Sequence, residues 1–175
     1  MEKYSRSFQS NVNNQIGKQF EELILAGCQY YRQKQLAEIN RIPEHFRVVK
    51  TNRDGSFSGR FTGLAQPDFS GTLQGGKSIV FEAKATTNDH IKQSVISKEQ
   101  KKKLNYHYIN GALTGVCIRI KNIYAFIPWS VWCDMKKRYG RLYMTESEAK
   151  EFAVKTPGFI DFLNYQNEAI TYETY

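Results

Sequence analysis

Cysteine is scarce in this 175-residue sequence, and Cys28, Cys117 and Cys133 form no C-x-x-C pair. An odd, scattered set argues against a disulfide framework or a structural zinc, and predicts free thiols in a reducing compartment. No apolar run reaches membrane-spanning length, and the polar amino terminus has no signal-peptide apolar core. No membrane partner is expected; a cytoplasmic location is. His45, His90 and His107 lack the i, i+4 spacing of a helical zinc pair. There is no G-x-S-x-G elbow, no cysteine beside a credible base, and no P-loop. Serine or cysteine nucleophile chemistry and P-loop phosphate binding are therefore excluded.

What the chain does have is positive charge. Its formal net charge of +8 is the electrostatic footprint of a polyanion binder. Basic residues cluster at Lys98, Lys101, Lys102 and Lys103, and again at Lys136, Lys137, Arg138 and Arg141. Either run could be a solvated helix face, but the pair favours nucleic acid over a membrane or an acidic protein. An apolar fraction of 41% in a chain of this length allows a sizeable core, and we expect one domain over residues 14–175. Residues 1–13, rich in Ser, Asn and Gln with Arg6 among them, are expected to form a flexible basic and polar segment.

The most informative stretch is Pro67-Asp68-Phe69-Ser70-Gly71 followed, across Gly75-Gly76, by Phe81-Glu82-Ala83-Lys84. Side chains alternate along a strand, so Glu82 and Lys84 share one face with Val80, while Ile79 and Phe81 share the other. A three-residue loop or glycine bulge sets Asp68 opposite Glu82 and Phe69 opposite Phe81, whereas a two-residue turn puts Asp68 on the wrong face. The first register gathers two carboxylates and a lysine. Carboxylate oxygens suit Mg²⁺, which is commonly held by one or two carboxylates plus substrate phosphate. Lysine adds a compact charge able to hold an attacking water. The plainer alternative is an amphipathic hairpin with a solvated polar face.

A helix is predicted over about Asn14–Glu38, with Ile16, Phe20, Leu23, Ile24, Gly27 and Tyr31 at helical spacing. Glu21 lies at the edge of that stripe, one turn from Gly17, whose missing side chain would admit a close neighbour. His45–Lys50 reads as a strand, and Thr51–Gln66 as a loop or projecting hairpin carrying Arg53, Phe57, Arg60 and Phe61. Such an arm could grip phosphates or be a plain surface hairpin. Ser97-Lys98-Glu99-Gln100 is a capping box opening a helix to about Asn110. Gln100 falls on its inward stripe, satisfied either by backbone or by the nearby site. Two strands, Ala112–Ile120 and Ile123–Ile127, flank Lys121-Asn122. Helices follow from Pro128 to about Tyr139 and from the capping box at Thr145 toward Val154, with a helical turn near Asp161.

In this order the pieces resemble the PD-(D/E)xK nuclease superfamily, and within it the RecU-type Holliday junction resolvases, including phage-encoded ones. The match is carried by Gly17-Lys18-Gln19-Phe20-Glu21, Tyr30-Tyr31, Asp68-Phe69-Ser70-Gly71, Phe81-Glu82-Ala83-Lys84, Thr86 and the Gln100 helix. Ala85 stands where that pattern commonly has a second glutamate, and the segment before Asp68 is shorter than the family's stalk. The resemblance implies an α/β, restriction-endonuclease-like mixed sheet flanked by helices, with a projecting loop or hairpin before the catalytic Asp68. It implies metal ligation by Asp68, Glu82 and the Ala83 carbonyl, water positioning by Lys84, and support from Glu21 and Gln100. It also implies a homodimer that nicks four-way junctions symmetrically. Arg53, Arg60, Phe57, Lys98, Lys101 and Lys102 are the expected DNA contacts. The aromatic carboxyl half, with Tyr124, Phe126, Trp129, Trp132 and Tyr139, offers either core or dimer surface. The alternatives are a nuclease of the same fold acting on linear or damaged duplex, and a non-catalytic junction-binding protein.

Overall fold

Helix α1 spans Glu2–Gln33 and buries Phe20, Ile24, Cys28 and Tyr31, one stripe at helical spacing. The computed structural model describes residues 2–43, 46–61 and 66–164, with side chains described over 15–43, 48–59 and 66–164. The helix differs from expectation at both ends. No Gly or Pro interrupts the chain between Glu2 and Gln15, so a helix nucleated in its packed part extends upstream at little cost per residue. At the other end Gln35 adopts φ +57° and turns the chain into strand β1 (Ala37–Arg41), in which only Ala37 and Ile39 alternate inward, too short a run to mark a strand. The close approach expected at Gly17 is absent, since a Cβ there would meet nothing within 4 Å. It occurs at Gly27 instead, where a Cβ would lie 2.6 Å from the Ile160 carbonyl oxygen.

Strands β2 (Phe46–Thr51) and β3 (Phe57–Phe61) form a separate antiparallel ribbon with an irregularity at Val48/Lys50. Next come β4 (Phe69–Leu73) and β5 (Ser78–Thr86), which pair antiparallel with Phe69 opposite Phe81 and Thr72 opposite Ser78. The three-residue register is therefore the one adopted. Gln74, Gly75 and Gly76 make the loop, closed by Leu73 N–H donating to the Lys77 carbonyl at 2.8 Å. Both glycines sit at positive φ, +86° and +88°, which explains why two are needed.

The chain then crosses over through β6 (His90–Lys92) and helix α2 (Lys98–Ile109) to β7 (Leu113–Ile120), which pairs parallel with β5, as a long crossover permits. Strand β8 (Ile123–Pro128) returns antiparallel, completing a five-stranded mixed sheet of order β1-β4-β5-β7-β8. The helix expected from Pro128 is broken at Asp134 into α3 (Trp129–Cys133) and α4 (Met135–Tyr139). A short strand β9 (Tyr143–Thr145) pairs with β6, and the second capping box opens α5 (Glu146–Ala149).

Two cores result, one on each face of the sheet. Against α1, Phe69 stacks on Phe81 at 4.9 Å, and Phe81 also meets Phe126 and Phe162. On the other face Val80, Val116 and Ile118 pack with Leu104 of α2 and with Trp129 and Trp132. Phe126, Trp129 and Trp132 are thus interior, while Tyr124 and Tyr139 are half-buried. Among the described residues no helix is long and apolar enough to cross a membrane.

Candidate active site

The carboxylates rise from the sheet face covered by α2. Asp68 lies just before β4, and its backbone carbonyl is fixed by the N–H of Ile42 at the end of β1. Continuing the β4–β5 register sets residue 67 opposite Ala83, at a position where ladder hydrogen bonds should form. Proline at 67 has no N–H to give. The Ala83 N–H is instead accepted by Asp68 Oδ2 at 2.9 Å, and Pro67 offers no donor to the Ala83 carbonyl. The proline before the aspartate thus leaves the Ala83 carbonyl without a ladder donor, and the Asp68 side chain takes the Ala83 N–H.

Lys84 Nζ donates to Asp68 Oδ2 at 3.0 Å and to Glu82 Oε2 at 2.7 Å, bridging the two carboxylates. Glu82 is fully buried, whereas Asp68 and Lys84 keep partial access to solvent. Glu82 Oε2 also accepts Gln100 Nε2 at 2.6 Å. Both readings of Gln100 hold together, because its Oε1 accepts the Ser97 backbone N–H at 3.0 Å in the capping box. Capping orients the amide: with Oε1 committed to Ser97, only Nε2 is left to face Glu82.

Burial, reinforced by the neighbouring Asp68 charge and only partly offset by Lys84, pushes the Glu82 carboxyl up to about 8. Burial also works against the Lys84 charge, but the two carboxylates together outweigh it and hold the ammonium above the ordinary lysine range. Glu82 Oε1 is buried with no hydrogen-bond partner. Such an orphan costs free energy unless something meets it.

A hard divalent cation fits these residues. The donors are all oxygen, the hydrogen bonds given to each carboxylate fall on one oxygen, and the fully buried Glu82 leaves its other oxygen unmet. Among the described residues no group of three or more His, Cys, Asp or Glu side chains gathers anywhere, this site included. Two carboxylates suit an oxygen-seeking divalent cation that keeps several waters better than a closed zinc cage.

Glu21 does not join them. Helix α1 lies on the aromatic face of the sheet, and Glu21 Oε2 is held by Arg41 at 2.9 Å. Arg41 was missed from sequence because the predicted helix ran to Glu38, into the start of β1, and no strand was expected there. Of the expected DNA contacts, Lys98, Lys101 and Lys102 are exposed on α2, Arg53 is exposed in the β2–β3 turn, and Phe57 is exposed on β3. Arg60 belongs to β3, but its side chain lies outside the described residues, as does that of Arg6. In the second basic run Arg141 is tied to Glu148 by two hydrogen bonds.

A family model described as "Recombination protein U" matches residues 15–168. The chain belongs to the RecU family. Membership makes it a Holliday junction-resolving nuclease, dependent on a divalent metal and acting on branched DNA. Among solved structures it is similar to Hjc, a Holliday junction resolvase from Archaeoglobus fulgidus, at 17% identity and TM-score 0.47 over 77% of this chain and 87% of that one. Comparison with curated protein sequences returned no match.

Proposed function

We propose that this RecU nuclease cuts through the Asp68–Glu82–Lys84 cluster, with Mg²⁺ or Mn²⁺ as its metal, and that a homodimer nicks a four-way junction symmetrically in the cytoplasm. The observation that carries the reading is the lysine bridging two carboxylates at 2.7 and 3.0 Å while one buried carboxylate oxygen stays unpartnered. Asp68, Glu82 and the Ala83 carbonyl would hold the cation. Bound there, it would polarise a phosphoryl oxygen and lower the pKa of water.

The remaining work falls to the chain. Lys84, charged at neutral pH, donates to a water beside the phosphorus and orients its lone pair in line with the leaving oxygen. Gln100 fixes the Glu82 carboxylate, and the exposed lysines of α2 neutralise neighbouring phosphates. Glu21, paired with Arg41 on the aromatic face of the sheet, takes no direct part. A homodimer follows from the substrate: two equivalent strands of a junction are best cut by a two-fold pair of sites. We assign residues 14–175 to one nuclease domain.

The test is cleavage of a labelled four-way junction beside a linear duplex of the same sequence, with either metal, by wild type and Asp68→Asn. Paired symmetric nicks in the junction alone, lost in the variant, are expected. Equal cutting of the linear duplex would select a general nuclease, and salt-sensitive binding without cutting a junction-binding protein.

A further inference from the structure

Past Lys84, strand β5 ends at Thr86 against the turn between β7 and β8, where Lys121 N–H donates to the Thr86 carbonyl at 3.0 Å. A cleft of about 240 Å³ opens there, lined by Ile16, Thr86, Thr87, Arg119, Lys121 and Asn122. It has two cations, two hydroxyls and an amide, and no carboxylate in its lining.

Arg119 is held ready within it. Its Nε donates to the Lys121 carbonyl at 2.8 Å, and its guanidinium lies 5.5 Å from the centre of the Tyr124 ring. Opposite it in the parallel register stands Ala85, which offers no carboxylate. Among the described residues the terminal amino groups of Arg119 have no acidic partner. Lys121 has only a loose one, Glu146 at 3.5 Å, which Lys150 also approaches at 3.8 Å. A fixed planar guanidinium with open donors beside an ammonium suits a phosphodiester.

Position completes the argument. Thr86 is two residues beyond Lys84, about 6.6 Å along the strand and on the same face, whereas Arg119, in register with Ala85, leaves from the α1 face, so the cleft wraps the end of β5 one short step past the lysine proposed to face the scissile phosphate. We propose that this cleft is a second phosphate subsite, in which Arg119 and Lys121 hold the backbone of the cut strand next to the scissile phosphate. The assignment rests on the nuclease site above and adds to it. By fixing the strand beyond the cut, the cleft sets which phosphate reaches the carboxylates.

The test measures junction binding in EDTA against salt, and cleavage in Mg²⁺, for full-length wild type, Arg119→Gln, Lys121→Gln and Asp68→Asn. Each of the first two variants should lower the slope of log affinity against log salt by about 1. Cleavage at limiting junction should fall about tenfold in each, whereas Asp68→Asn should lose cleavage with no fall in slope. Lys121 is exposed, so its variant removes charge without touching the core. A junction carrying a neutral methylphosphonate beside the cut should weaken wild-type binding as Arg119→Gln does, and weaken the variant no further. Unchanged slopes in both variants, or additive losses at every flanking phosphate, would overturn the subsite. Lowered slopes in a wild type that cuts nothing would keep the phosphate contact, while the nuclease reading and the cleft's place beside a cut would fall.

Discussion

The two faces of β5 carry opposite kinds of residue, and each face breaks differently. On one, Ile79 and Phe81 are wholly buried among aromatic rings; on the other, Val80 gives way to Glu82 and Lys84, a buried carboxylate and its cation. Alternation along a single strand thus sets a hydrophobic floor directly behind a polar site, so the carboxylates stand on a layer that cannot easily shift. The lesson is that rigidity comes from one face and chemistry from the other. Substitutions should separate them.

The largest separation is expected for Asp68→Asn and Lys84→Ala, each lowering cleavage at least about a thousandfold, the scale of losing several kcal/mol of charge stabilisation. Circular dichroism should find both folded. Phe81→Ala should do the reverse, costing about 3–5 kcal/mol in urea denaturation because it opens a cavity beside Phe69, Phe126 and Phe162. Activity per folded molecule should survive, and a thousandfold loss in the folded fraction would show that the two faces are not separable.

Gln100 joins site and scaffold, and a pair of variants divides its work. Gln100→Ala removes the donor to Glu82 Oε2 and should weaken metal affinity about 10- to 100-fold. Ser97→Ala removes only the cap and should cost about 1 kcal/mol of stability, with metal affinity nearly unchanged. Calorimetric metal titration beside denaturation distinguishes them.

How much of this was legible follows the range of the deciding interaction. The Asp68–Glu82 register was readable because alternation, two glycines and a short loop all lie within residues 67–84. The capping boxes were readable for the same reason. Strand β1 was not, since the signal ending α1 is a positive φ at Gln35, a residue with no sequence mark for it. With β1 unseen, the Arg41 partner of Glu21 was invisible too. The three-residue strands β6 and β9 are too short to show a period. Trp129 and Trp132 favoured a core by their spacing but also offered a dimer surface until the sheet placed hydrophobic neighbours above them.

The site face should also respond to pH where the aromatic face does not. Glu82 titrates near 8 in the folded protein against an ordinary 4.5, so the folded state holds its proton more tightly. Its contribution to stability is full below about 4.5 and is lost as pH rises through about 8. Metal-free protein should therefore show a melting temperature that declines across that window, and Glu82→Gln should flatten the decline. A divalent cation needs the ionised carboxylate, so metal affinity should rise over the same interval, with a proton released on binding. A melting profile unchanged by Glu82→Gln would refute the assignment.

A comparison confined to the aromatic face uses two glycines of α1 that the sequence treats alike. Gly17 has open space where a Cβ would stand, so Gly17→Ala should stabilise by about 0.5–1 kcal/mol through the helix preference of alanine over glycine. Gly27 faces the Ile160 backbone, and its Cβ would lie 2.6 Å from that carbonyl oxygen. The obstacle is main chain, itself bound to the Leu23 carbonyl through the Ile160 N–H at 3.1 Å, and it cannot rotate away as a side chain would. Gly27→Ala should thus destabilise despite the same gain in helix preference, by about 1–3 kcal/mol, the usual cost of overpacking. Thermal melts of the two variants should move in opposite directions. Movement in the same direction would mean that the 155–164 segment does not press on α1, and that the aromatic face of the sheet is less tightly closed than its partner.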